Sequence, residues 1–220
     1  MDERFIALEG PDGSGKTEQW QLLAKRMRSL GYRVELVDLP QYDKPSSLWV
    51  KSYLKGDYGA IDKVDPRRAS IFYALDRFDA GLQVRKWLNE GAWVLTNRWV
   101  ASNMGHQGTK VPADKLQEFF DWEIDLEYNI FQIPEPLTII LHVPAEVSLE
   151  LIKQRSAKTG KPMDLHEVLD HLQKSEKIYR LLPELWPEED KLVECYENGR
   201  LLSIDEIHER VWAIIEPRLQ

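Results

Sequence analysis

Five short apolar runs recur along the chain: RFIAL (4–8), RVELV (33–37), AWVLT (92–96), LTIILHV (137–143) and KLVECY (191–196). Longer stretches with helical spacing lie between them. Strands of this length, apolar on both sides and separated by helices, are what a parallel sheet covered on both faces requires. The pattern therefore predicts an α/β fold, a three-layer sandwich around a five-stranded parallel sheet. Gly31 and Gly91 stand where helices begun near Lys16 and Pro66 need a left-handed terminal residue. Pro134 and Pro136 break the chain before the fourth run, and Ser203 with Glu206 has capping-box spacing ahead of an apolar stripe at Ile207, Val211, Ile214 and Ile215. In the helix starting near Pro66, Ile71, Leu75, Phe78 and Leu82 read as a core stripe, with Tyr73 and Arg77 on a different face. With no repeat, low-complexity tract or long linker, residues 1–220 read as a single domain.

Composition narrows the partners. A chain of 220 residues, 43% hydrophobic, has ample material for one core, and a formal charge of -8 argues against coating a nucleic acid polymer. The single Cys195 closes no intramolecular disulfide and, in an apolar run, reads as a buried strand residue. The opening MDERF lacks a signal-peptide core, and no run reaches the roughly 18 apolar residues of a membrane span, so the expectation is a cytoplasmic protein without a membrane partner.

The turn after the first run carries the strongest chemistry. Gly10, Pro11, Asp12, Gly13, Ser14, Gly15, Lys16 and Thr17 match the phosphate-binding loop pattern between a predicted strand and a predicted helix. Glycines at 10, 13 and 15 let backbone N–H groups turn inward as a nest for phosphate oxygens, at the positive end of the following helix. Lys16 adds a charge near the β and γ phosphates, and the Thr17 hydroxyl suits Mg²⁺. A nucleoside triphosphate is expected in the turn, which leaves GTPases, ATPase motors and small-molecule kinases of the P-loop kinase type open.

Three further stretches bear on a second substrate. Tyr73 and Arg77 lie one helical turn apart and, taken by themselves, read first as a solvated Tyr and Arg and second as a base-binding pair. Asn97 and Arg98 follow a strand at the carboxyl edge, where open parallel sheets bind ligands; Arg98 is either a phosphate clamp or a surface Arg at the strand end. The stretch KQRSAKTGKPMD (153–164), with four basic residues, Gly160 and Pro162, reads as an exposed loop rather than a continuous helix.

Taken together, EGPDGSGKT, FYALDR, NRWVASNMGHQG and QIPEPLTIILHV resemble, in order, motifs of the thymidylate kinase family of nucleoside monophosphate kinases. The resemblance implies ATP and dTMP as substrates, Mg²⁺ as cofactor, a homodimer and a mobile lid near 153–164. It also implies that Tyr73 stacks on thymine, Arg77 bonds its edge, Ser102, Asn103 and Gln107 surround base and sugar, Arg98 holds the monophosphate, and Asp12 lies near the 3′-hydroxyl and acceptor phosphate. Position 13 is Gly where one subgroup carries Arg, so the catalytic positive charge is expected from the lid through Arg155, Lys158 and Lys161, alongside Lys16 and Arg98. The sequence departs from the family at Asn97, where Asp is usual and Asn would act on Mg²⁺ through water. It departs also at Gln41 and Tyr42, in place of a Glu-Arg pair, with Lys44 as a substitute cation; at His106, where Tyr is common; and at Leu165 after Asp164. These departures leave open a kinase for another pyrimidine nucleotide or a deoxynucleoside, and a non-catalytic nucleotide-binding protein.

Overall fold

The computed structural model describes residues 2–157 and 165–219, with backbone alone for residues 165–167. Five strands, β1 (Phe5–Glu9), β2 (Val34–Asp38), β3 (Trp93–Asn97), β4 (Leu137–His142) and β5 (Asp190–Glu194), form one parallel sheet in the order β2-β3-β1-β4-β5. Every predicted strand is present, but the apolar criterion stops one residue short on β1, β2 and β3. Their last residues, Glu9, Asp38 and Asn97, are polar and stand together at the carboxyl edge, Asn97 in register with both Leu8 and Asp38.

The helices are α1 (Lys16–Ser29), α2 (Leu48–Lys55), α3 (Pro66–Asn89), α4 (Val100–Gln107), α5 (Leu116–Ile124), α6 (Ala145–Ala157), α7 (Leu165–Leu185) and α8 (Ile204–Ile215); a short hairpin of β6 (Tyr196–Glu197) and β7 (Arg200–Leu201) precedes the last. Alternation along β1 sends Ile6 and Leu8 to one face, against Leu23 and Met27 of α1 and Val211 and Ile215 of α8. Phe5 and Ala7 go to the other, with Val84 of α3, Met104 of α4, Phe120 of α5 and Leu182 of α7. Each such large side chain contributes about 1.5–3 kcal/mol by leaving water. The capping box at Ser203 and Glu206 is formed, and Gly31 and Gly91 take φ of 91° and 82°.

Three expectations need correction. The stripe Ile71, Leu75, Phe78 and Leu82 is not core: these residues are 38%, 37%, 41% and 61% exposed. The face of α3 turned inward is built from small residues, Ala69, Ser70, Ala74, Ala80 and Gly81, with Arg77 and Val84. Periodicity identifies an apolar face but not what covers it. Residues 153–157, read as loop, complete the last turns of α6, whose Leu149 and Ile152 are tied to Leu172 of α7. Cys195 is fully buried as expected, its thiol pushed up to about 12 chiefly by burial, but it follows β5 rather than lying within it.

Close contact between α4 and α7 depends on Gly105, where an added Cβ would overlap the ring of the fully buried Tyr179. Gly105→Ala is expected to cost about 1–3 kcal/mol despite the better helix propensity of Ala, because a packed ring must shift. Urea denaturation measures this; an unchanged or raised midpoint would refute the steric account.

Candidate active site

The phosphate loop joins β1 to α1. Gly10 (φ 134°) and Gly13 (φ 83°) are required twice over, since a Cβ there would sit 2.5 Å from the Leu141 carbonyl oxygen and 2.7 Å from that of Ser148. Gly15, also at φ 83°, has open space around it and is required only for its left-handed backbone at the start of α1. Ser14 is buried, and Lys16 turns its ammonium onto the loop, donating to the carbonyls of Gly10 and Pro11 at 2.8 Å each. Burial, then the neighbouring Arg98, pulls the Lys16 pKa down to about 7. An anion in the loop would reverse that pull.

Thr17 meets the neighbouring strands at the loop's far side. The Asn97 amide donates to Asp38 Oδ1 at 2.8 Å and to Thr17 Oγ1 at 3.4 Å, and Asn97 Oδ1 is buried with no hydrogen-bond partner among the described residues. The carboxylate fixes which amide atom is nitrogen, since it can only accept.

Arg98 is next, with φ 73°, a left-handed conformation that a side chain rarely adopts. Its guanidinium is ion-paired through Nη2 with Asp12 of the loop, and Nη1 donates to Ser102 Oγ at 3.1 Å and to His106 Nε2 at 3.0 Å. Burial pushes the Asp12 carboxyl up, but Arg98 above all, together with Lys16, outweighs it and holds it well below the usual range. Ser102 is also bound to Glu9: its N–H donates to Oε1 at 3.0 Å and its hydroxyl to Oε2 at 2.6 Å, while Trp99 N donates to Oε1 at 2.5 Å. Glu9 thus caps α4 from the end of β1.

Beyond Arg98 opens a cavity of about 820 Å³. Asp12, Tyr73, Arg77, Arg98, Ser102, Asn103 and Gln107, all anticipated from sequence, line it together with His106. Tyr73 is half-buried and meets Tyr53 edge-on at 6.1 Å. Arg77 is buried in an ion pair with Glu127, on the π-helical turn that continues α5, donating through Nε at 2.9 Å and through Nη2. Asn103 donates to the Ser70 carbonyl at 3.1 Å and to Glu123 at 3.3 Å; burial raises that carboxyl to about 7. Gln107 accepts from Lys110 at 2.9 Å. The 41–42 loop is anchored by Asp76, which accepts from Gln41 N at 2.8 Å, while Lys44 is bonded to the Gln41 side chain and Tyr42 lines the cavity. Arg155, exposed near the end of α6, also reaches the cavity, whereas Lys158, Lys161 and Asp164 lie outside the described residues.

Glu9, Asp38, Glu127 and His171 are functional-site neighbours that sequence reasoning missed. For Glu9 and Asp38 a signal existed: each is the polar residue ending an apolar run at the sheet's carboxyl edge. Glu127 and His171 come from helices distant in sequence and gave none.

A phosphate loop joined by one arginine to a separate cleft with an aromatic ring on its wall defines a P-loop nucleotide kinase. The model of the family described as thymidylate kinase matches residues 8–195, and the chain belongs to that family. It is 28% identical over 220 residues to a probable thymidylate kinase of Thermococcus kodakarensis, covering 98% of each chain. It is 29% identical over 219 residues to a probable thymidylate kinase of Thermococcus onnurineus, again 98% of each. With the thymidylate kinase of Afipia carboxidovorans it shares 30% identity over 217 residues, 98% of this chain and 90% of the relative.

Burial, then Arg98, pushes His106 from the ordinary 6.5 down to about 3. A folded value below the unfolded one gives stability that is complete above about pH 6.5 and is lost as pH falls toward 3. Replacing His106 with the non-titrating Gln should give a stability gap to wild type that shrinks between pH 7 and pH 4. Urea midpoints across that range measure it; a pH-independent gap contradicts the assignment.

Proposed function

We propose that the chain transfers the γ-phosphoryl group of ATP to dTMP, giving dTDP and ADP. The observation that carries this reading is Arg98, paired with the loop's Asp12 on one side and lining the acceptor cavity on the other. A dTMP phosphate oxygen, already ionised at neutral pH, forms the new P–O bond in line as the bond from γ-phosphorus to the β–γ bridging oxygen breaks and ADP leaves with the electron pair. The chemistry needs placement and charge more than a general base. Lys16 exchanges loop carbonyls for donor phosphate oxygens, Arg98 holds the acceptor phosphate, and Arg155 with Lys158 and Lys161 supplies charge from a lid near 153–164. Tyr73 stacks on the base, Arg77 reaches its edge with N–H groups left over from Glu127, and Asn103, Gln107 and Ser102 shape the base and sugar pocket.

The oxygen set at the loop suits Mg²⁺: the Thr17 hydroxyl, the unpartnered Asn97 Oδ1 acting through water, and the Asp38 carboxylate. When bound, the ion neutralises charge on the donor phosphates. The residues at 71, 75, 78 and 82 supply the contact of a homodimer, since an exposed four-residue apolar stripe on one helix is costly in water. We place the enzyme in the cytoplasm, where Cys195 stays reduced; no described helix is long and apolar enough to cross a membrane.

ADP release with ATP and a panel of nucleotides and nucleosides tests the acceptor: dTMP should be preferred, and turnover only with another pyrimidine nucleotide or a deoxynucleoside overturns it. Tyr73→Ala should raise KM for dTMP by about tenfold, the loss of one stacking contact, without moving KM for ATP. Replacing Arg155, Lys158 and Lys161 together by Gln should depress kcat far more than ATP affinity, and unchanged kcat removes the lid from the mechanism. Leu82→Glu should convert the dimer to monomer in light scattering, and a dimer of unchanged affinity would place the interface elsewhere.

A further inference from the structure

Next to Arg98, two histidines from separate helices form a contact that the reaction scheme above does not use. The rings of His106 of α4 and His171 of α7 lie nearly coplanar and end to end, their centroids 5.4 Å apart and their planes within 12°, with His106 Nδ1 3.1 Å from His171 Nε2. The other nitrogen of each ring also has a partner. His106 Nε2 is 3.0 Å from Arg98 Nη1, and His171 Nδ1 is 3.4 Å from Thr109 Oγ1.

The direction of every proton in this chain can be deduced. Arg98 is always protonated and can only donate, so His106 Nε2 presents a lone pair and His106 Nδ1 carries the hydrogen. That hydrogen points to His171 Nε2, which therefore accepts, leaving the second hydrogen on His171 Nδ1. At the far end the Thr109 hydroxyl donates to the His106 carbonyl at 2.7 Å, so its lone pair is what faces His171 Nδ1. The two ends, fixed independently, demand the same polarity and two neutral rings. Gly105 permits it by letting α4 and α7 approach closely.

We propose that His171 is a positioning residue that acts through His106 on Arg98, by locking His106 in the Nδ1–H tautomer that turns a lone pair to the guanidinium. Its kinetic consequence rests on the assignment of Arg98 to the acceptor phosphate. Without an acceptor at His171, His106 is free to take the Nε2–H tautomer, which sets N–H against N–H and loosens Arg98. The charged groups facing the pair are mixed in sign: Asp12, Lys16 and Arg98 toward His106, and Asp12, Lys110, Asp170 and Lys174 toward His171. Burial, the first cause for both rings, favours neutrality, in keeping with the hydrogen-bond polarity.

Long-range ¹⁵N NMR of the histidine rings in the intact, substrate-free protein near neutral pH tests the chain itself. His106 should appear as a neutral Nδ1–H ring, the minority form of free histidine; an Nε2–H or doubly protonated His106 overturns the proposal whatever the enzyme phosphorylates. Kinetics test the consequence. His171→Leu, apolar and of similar size, should lower kcat/KM for the acceptor about tenfold, the worth of one charge-assisted hydrogen bond, with KM for ATP unchanged. His171→Gln, whose Oε1 can replace Nε2 as acceptor, should restore most of that loss. Equal rates for His171→Leu and wild type, or equal defects in the Leu and Gln variants, overturn it. If Arg98→Ala leaves acceptor kinetics untouched while wild-type His106 shows the Nδ1–H ring, the assignment of Arg98 to the acceptor phosphate fails and the chain stands.

Discussion

The site is organised around the ion pair of Arg98 with Asp12. Two cations, Lys16 and Arg98, lie close enough at the carboxyl edge for each to disfavour the other, and Lys16 falls to about 7 under burial and that repulsion. Asp12 is the anion that makes their proximity tolerable. Such a set is not a source of net stability, because desolvating the charges offsets most of their attraction. It serves instead to fix the arginine in one place at the mouth of the cavity, held by Asp12, Ser102 and His106 rather than free to sample many rotamers. The left-handed backbone at Arg98, a cost on the order of 1–3 kcal/mol, belongs to the same arrangement.

Glu9 shows how the core holds that arginine still. As the last residue of the central strand it is fully buried, and its carboxylate accepts from Trp99 N, Ser102 N, Ser102 Oγ and the Tyr179 hydroxyl. One carboxylate thereby ties β1, the start of α4 and α7. Ser102, which the family resemblance implies lies around base and sugar, uses its hydroxyl hydrogen within this network and its lone pair on Arg98. A residue can line the cavity and still contribute chiefly by orienting its neighbour.

The parts legible in the sequence were those carried by local spacing. The phosphate loop is continuous in sequence and its glycines have steric reasons to be where they are, so the motif and its geometry coincide. The strands were legible because burial on both faces leaves unbroken apolar runs, and their ends were misjudged where a polar site residue ends the run. The α3 stripe was misassigned because an apolar face left exposed looks, in sequence, the same as one destined for a core; only the small residues opposite, Ala74, Ala80 and Gly81, mark the side that approaches the protein closely. His171 was invisible, since its significance lies in a tautomer fixed by residues more than sixty positions away.

Asn97 illustrates the limit of reading a substitution in isolation. Taken alone, an amide where the family usually has a carboxylate removes a negative charge beside Thr17. In the sheet, however, its Cα is in register with that of Asp38 on the adjacent strand, and its amide bridges the Asp38 carboxylate to the Thr17 hydroxyl. A carboxylate therefore stands one strand spacing, about 4.8 Å, from the amide. Because the amide nitrogen is committed to a carboxylate that can only accept, the oxygen left over is a buried acceptor without a partner among the described residues, beside a hydroxyl oxygen and a carboxylate. An amide oxygen, a hydroxyl and a carboxylate thus share one corner of the loop, an arrangement that the pairing of β2 with β3 assembles and no local motif displays.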